Sequence, residues 1–109
     1  ETGIGSVDAA NWYTVGTDSN GVTWSIDNDS VKKDDKKAVM DIKAMDYEGY
    51  HYIVTEEFNH KKREVKDLKV TLYNPQGYVV KEEQVNKNSR KVEPGTPAYA
   101  VFQLIWGGK

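Results

Sequence analysis

The chain has 109 residues and a formal charge of −2, room for one domain with one core, and too little net charge to make nucleic acid or a membrane surface its bulk electrostatic partner. It contains no cysteine, which excludes a disulfide framework, thiolate catalysis and Cys-based zinc or iron–sulfur sites. Hydrophobic residues make up 38% against 29% charged, enough apolar side chain to fold as a soluble globular domain stabilised by packing.

The opening Glu1-Thr2-Gly3-Ile4-Gly5-Ser6 is small, Gly-rich and patternless. Residues 1–9 are expected to be a disordered tail, a linker from a lost anchor or signal, or a remnant of cloning, with a single domain over residues 10–109. No apolar run approaches the roughly 18 residues of a membrane span, and nothing of signal-peptide form opens the chain. A mature exported protein has already lost such a signal.

Asn11 to Thr17 carries Trp12, Tyr13 and Val15, and Val22 to Asp27 alternates Val22, Trp24 and Ile26 with polar residues; both read as strands. Between them Asp18-Ser19-Asn20-Gly21 predicts a tight hairpin, with Asn20 and Gly21 both able to take positive φ. Asn28 to Lys37 is a polar break with mixed charge, a solvated loop or hairpin tip. Ala38, Met40, Ile42 and Ala44 then alternate with Val39, Asp41 and Lys43 in a third strand. A turn through Gly49 leads to a return strand, Tyr50 to Phe58, with Tyr50, Tyr52 and Val54 on one face and His51, Ile53 and Thr55 on the other.

Asn59-His60-Lys61-Lys62 is the next polar tip, and Arg63 to Tyr73 the longest strand. Val65 falls out of parity with Leu68, Val70 and Leu72, which a β-bulge near Lys66-Asp67 reconciles. Asn74-Pro75-Gln76-Gly77 has the residues of a type I turn and leads into a strand from Tyr78 to Val85. Asn86 to Arg90 is polar connection. No internal repeat stands out.

Gly95 to Trp106 closes the chain. Thr96 suits an N-cap, Pro97 the first helical position, and Gly107 a left-handed C-cap. Ala98, Val101, Phe102, Ile105 and Trp106 recur at helical spacing, although Tyr99, Val101 and Phe102 also suit a final strand. The fold expected is α+β: an antiparallel meander sheet of about six strands with the C-terminal helix packed on one face.

Candidate chemistry is sparse. A zinc site needs His51 and His60 to converge with Glu56 or Glu57, yet the two histidines are nine residues apart across one strand with no evident shared direction, His51 on a sheet face and His60 at a loop tip. Glu56 and Glu57 are adjacent on that strand, so they point to opposite faces and cannot form an acid–base pair. The Asp18 turn lacks the register and terminal Glu of a calcium loop. Phosphate-cradling loops, nucleophile elbows and His-Glu-x-x-His motifs do not occur. Asn28-Asp29-Ser30 fits the common glycosylation acceptor pattern. No enzymatic activity, metal or cofactor is expected.

Two surface features remain. Lys32, Lys33, Lys36 and Lys37, together with Lys61, Lys62 and Arg63, form two basic tips that would attract sulfated glycans or acidic proteins if they lay at the same end of the sheet. The alternative is ordinary solvated tips interrupted by Asp34 and Asp35. The second feature is an excess of aromatic residues, Tyr50 and Tyr52 among them, some of which must occupy the second face of the sheet, where a recognition surface or a dimer contact is one reading and core filling explains Trp12 and Trp24 equally well. An unpaired edge, for instance the strand from Arg63 to Tyr73, also offers a route to a homodimer.

The order of these elements resembles the surface-adhesin protein E family of bacterial exported proteins. The matching stretches are Trp12 to Asp18 with Gly21 to Asp27 and Asp29-Ser30-Val31, then Tyr73 to Val80, then Val92-Glu93-Pro94-Gly95-Thr96. The resemblance implies an exported domain, periplasmic or at the cell surface and often lipid-anchored. It implies attachment to host extracellular-matrix or plasma proteins, or to envelope proteins, with contact to a membrane only through a lost anchor. Many such relatives carry a cysteine pair tying the terminal helix to the sheet. Here Phe102, Ile105 and Trp106 must hold it alone. A structural cell-envelope protein acting by self-association is the alternative function.

Overall fold

The structure is a computed structural model that describes residues 10–85 and 88–107. The expected tail, residues 1–9, lies outside these, as do Asn86 and Lys87 of the expected polar connection.

Among the described residues eight strands form one antiparallel sheet. The strands are β1 (Trp12–Thr17), β2 (Thr23–Asp27), β3 (Lys32–Lys33), β4 (Lys37–Met45), β5 (His51–Asn59), β6 (Glu64–Tyr73), β7 (Val79–Gln84) and β8 (Arg90–Lys91), followed by helix α1 (Pro97–Trp106). The sheet runs β1-β2-β4-β5-β6-β7, with β3 paired to β4 and β8 to β6. Two strands therefore continue rows already begun: β3 extends the row of β2 past a 3-10 turn at Asn28–Ser30, and β8 extends that of β7. The meander has the expected six rows. The basic stretch from Lys32, expected to be loop throughout, contributes β3.

Strand alternation decides the two faces. Ile26, Ala38, Met40, Ile42, Phe58 and Val65 are buried on the side that meets Val101, Phe102 and Ile105 of α1. Burying each such side chain contributes roughly 1.5–3 kcal/mol, so three helix anchors hold the helix to the sheet by packing. The expected bulge is present: Thr55 pairs with Lys69 but Glu56 with Asp67, leaving Leu68 as the extra residue. It restores Val70 and Leu72 to the parity of Val65.

The last segment is a helix and not a strand. Thr96 Oγ1 accepts from the Tyr99 N–H at 3.2 Å, Pro97 occupies the first turn, and Gly107 ends it at φ 65°. Lys33 Nζ donates to the Ile105 carbonyl at 2.8 Å and Trp106 Nε1 to that of Asp34 at 3.2 Å, so the basic loop caps the helix's C-terminal end.

Three hairpin tips share one design that the sequence reading missed as a repeat. Asp18, Asp46 and Asn74 each begin an Asx-x-x-Gly turn. In each turn the glycine N–H donates to the Asx carbonyl and the Asx Oδ1 accepts from the N–H groups two and four residues on. The glycines have φ 81°, 96° and 89°. At the first turn only Gly21 takes positive φ, not Asn20, so the local design is a type I turn closed by a left-handed glycine.

Candidate functional site

Meander connectivity sorts the tips by end. The three Asx-Gly turns join β1 to β2, β4 to β5 and β6 to β7 at one end, while the loops from Asp34 to Lys36 and from His60 to Arg63 lie at the other. The two basic loops touch. The His60 N–H donates to the Lys36 carbonyl at 2.9 Å, and His60 Nδ1 donates to the Asp35 carbonyl at 2.9 Å. The Lys62 N–H is held by Asn59 Oδ1 at 3.0 Å, and Arg63 turns the chain with φ 52°.

All seven basic residues of the two tips are exposed, but they are not equivalent. Lys33 is committed to the Ile105 carbonyl, Lys37 lies 3.8 Å from Glu57, and Arg63 sits over the Phe102 ring at 5.3 Å from its centre. The ammonium groups of Lys32, Lys36, Lys61 and Lys62 make no ion pair among the described residues. Asp34 is turned inward on its own loop, its Oδ1 accepting from the Lys37 and Lys36 N–H groups, and these bonds hold its carboxyl below the usual range. The tip therefore carries protruding lysines with one of its acids bound to its own backbone.

Tyr50 and Tyr52 do not join this surface. They stand at the start of β5, beside the Asx-Gly end, 45% and 48% exposed. The opposite face carries another aromatic group: Lys43 Nζ lies 4.5 Å from the centre of the Trp12 ring, and His51 stacks on Tyr73 at 5.0 Å. His51 opens β5 and His60 lies just past its other end, too far apart to share a metal, and no group of three or more His, Cys, Asp or Glu able to hold a metal ion occurs among the described residues.

Edge geometry corrects one expectation. The strand from Arg63 to Tyr73 is interior, since β6 is paired with β5 on one side and with β7 and β8 on the other. The edges are β1 and the β7 row. β7 is exposed along its whole length, with Val79 and Val80 more than half exposed.

A second constellation went unseen in the sequence. Glu56 faces the helix side with Phe58 and is 8% exposed. Arg90 of β8 bridges it at 3.0 Å and Asp67 at 3.2 Å. Burial, and then the bond to and charge of Asp67, push the Glu56 carboxyl up to about 8 against the pull of Arg90. The signal was present: Glu56 shares the parity of Tyr52, Val54 and Phe58. Glu57, on the other face, lies 3.8 Å from Lys37 and 3.6 Å from Lys66.

A locally connected antiparallel sheet under one terminal helix, with its distinctive chemistry at loop tips and edges, defines a small α+β module built to present surface. The family model of surface-adhesin protein E matches residues 12–105, and the chain belongs to that family. No curated protein and no solved structure matches it. Membership suggests an adhesin-like, surface-associated role. No helix among the described residues is long and apolar enough to cross a membrane.

Proposed function

We propose that this domain is an exported bacterial attachment module that docks an acidic surface of a host extracellular-matrix, plasma or envelope protein on its basic end. The observation that carries the reading is the hydrogen bond from the His60 N–H to the Lys36 carbonyl, which fuses two lysine-bearing loops into one surface. Lys32, Lys36, Lys61 and Lys62 supply the unpaired charge, and Lys33, Lys37 and Arg63 the framework behind it. Such a contact gains mostly in association rate and specificity, and weakens with salt as exposed charges are screened. Tyr50 and Tyr52 are a separate contact at the opposite end. The test is biolayer binding to immobilised laminin, vitronectin, plasminogen and heparin at two salt strengths. Salt-sensitive binding to at least one supports attachment, and no binding to any rejects it.

A second reading is a structural envelope protein acting by self-association. It is favoured by the exposed β7 edge with Val79 and Val80. A concentration-dependent dimer in sedimentation, abolished by Val80→Lys, would support it. A monomer at every concentration removes it.

A further inference from the structure

The end of the sheet opposite the lysines has its own chemistry. The three Asx-Gly turns lie side by side there: a Cβ added at Gly21 would sit 3.8 Å from Tyr47 Cδ1, and one at Gly49 3.1 Å from Pro75 Cβ. Tyr47 is 84% exposed, Tyr78 71% and Tyr50 45%, and large rings grouped in solvent mark an interaction surface. Their backbone is preset, because the Tyr50 N–H donates to Asp46 Oδ1 at 3.1 Å and the Tyr78 N–H to Asn74 Oδ1 at 3.0 Å. Rigid tyrosines lose little freedom on binding and are enriched in protein interfaces.

Charge separates the two ends. The turns from Asp18 to Gly21, Asp46 to Tyr50 and Asn74 to Tyr78 contain Asp18, Asp46 and Glu48 and no lysine or arginine. None of these acids is in an ion pair among the described residues. β4 and β5, nine residues each, put about 30 Å between the ends. That is several Debye lengths at physiological salt, so within one copy the ends do not neutralise one another.

We propose that the tyrosine end of one copy docks the basic end of a second, so that the chain assembles head to tail. Lys32, Lys36, Lys61 and Lys62, unpaired in the single copy, supply the cations. Tyr47, Tyr50 and Tyr78 offer ring faces on which ammonium groups sit, with Asp46 and Glu48 beside them. The two surfaces differ and face opposite ways, so each docking leaves one end of each kind open and growth does not close at a dimer. The contact uses neither β7 edge. It rests on the joined basic loops but not on a host protein, and an acidic host protein on those loops would compete with it.

The test is sedimentation velocity of the full chain alone, over a concentration series at low and at physiological salt. Expected is a mean mass that keeps rising past the dimer, with association weakened at least about tenfold at the higher salt. Lys36→Glu with Lys61→Glu removes one end and Tyr47→Ser with Tyr78→Ser the other, all at exposed positions outside the core, so each double variant should sediment as a folded monomer. Mixed together, they still hold one intact end of each kind and should form a 1:1 complex that grows no further. Binding of an acidic protein to the basic end is scored separately, since it neither requires nor produces that complex. A wild type monomeric at every concentration, a closed dimer that either variant retains, or a mixture that stays monomeric would each overturn the proposal. So would a monomeric wild type captured through Tyr47 and Tyr78 by polylysine, which would assign this end to a foreign basic segment.

Discussion

His60 and Trp106 lie face to face, ring centres 4.3 Å apart and planes within 2°. Phe102 meets both edge-on, at 5.7 Å from His60 and 5.0 Å from Trp106. The last turn of the helix is thereby stacked on the loop that carries Lys61 and Lys62, so helix docking and the shape of the basic end are one packing problem. Trp106→Ala should cost about 2 kcal/mol, less than a fully buried aromatic because the ring is half-buried, and should also weaken binding at the basic end. Urea denaturation with a parallel binding isotherm checks both. Lost stability with unchanged binding would separate the two roles.

Phe102 and Val101 are fully buried between the helix and the sheet. Phe102→Ala should destabilise by about 3–5 kcal/mol, a large share of the roughly 5–15 kcal/mol available to a domain. The expected result is a protein unfolded or nearly so at 37 °C by circular dichroism. A loss under about 1 kcal/mol would mean that the helix is dispensable to the sheet.

The three Asx-Gly turns should not respond equally to Ala. At Gly77 an added Cβ meets nothing within 4 Å, so Gly77→Ala carries only the strain of φ 89°, about 1–2 kcal/mol. At Gly49 the same atom comes 3.1 Å from Pro75 Cβ, on top of φ 96°. Gly49→Ala should therefore cost more than Gly77→Ala, and thermal unfolding of the two variants decides it. Equal losses would mean that the Gly49 and Pro75 turns move apart freely.

Stability should fall as pH rises through Glu56. Its folded carboxyl sits at about 8 against an ordinary 4.5, so between these values the folded state holds a proton that the unfolded chain releases. The contribution is complete below pH 4.5, falls by up to about 1.4 kcal/mol per pH unit between there and about 8, and is gone once pH has passed about 8. Glu56→Gln should flatten that slope between pH 5 and 8 in urea unfolding. An unchanged slope would assign the pH dependence to other groups.

How legible all this was in the residues depended on the range of the interaction. Thr96, Pro97 and Gly107 declare the helix because capping is settled within a few residues. The bulge beside Asp67 was visible as a parity break within one strand. Lys33 read as a solvated lysine because its acceptor, the Ile105 carbonyl, lies 72 positions away. Arg90 sits in a stretch without pattern, and its pairing with Glu56 exists only once β8 reaches the start of β6. Asn20 was over-read, since an Asn-Gly pair permits two left-handed residues while the Asp18 side chain here selects a turn needing one.

The joined basic loops are best examined by charge reversal on both, with Lys36→Glu and Lys61→Glu made singly and together and bound to whichever immobilised ligand the wild type prefers, at two salt strengths. Each single reversal should weaken binding by about tenfold, the pair more than either, and the salt dependence should shrink with every charge removed. Full-strength, salt-insensitive binding by the double variant is incompatible with attachment through this end of the sheet.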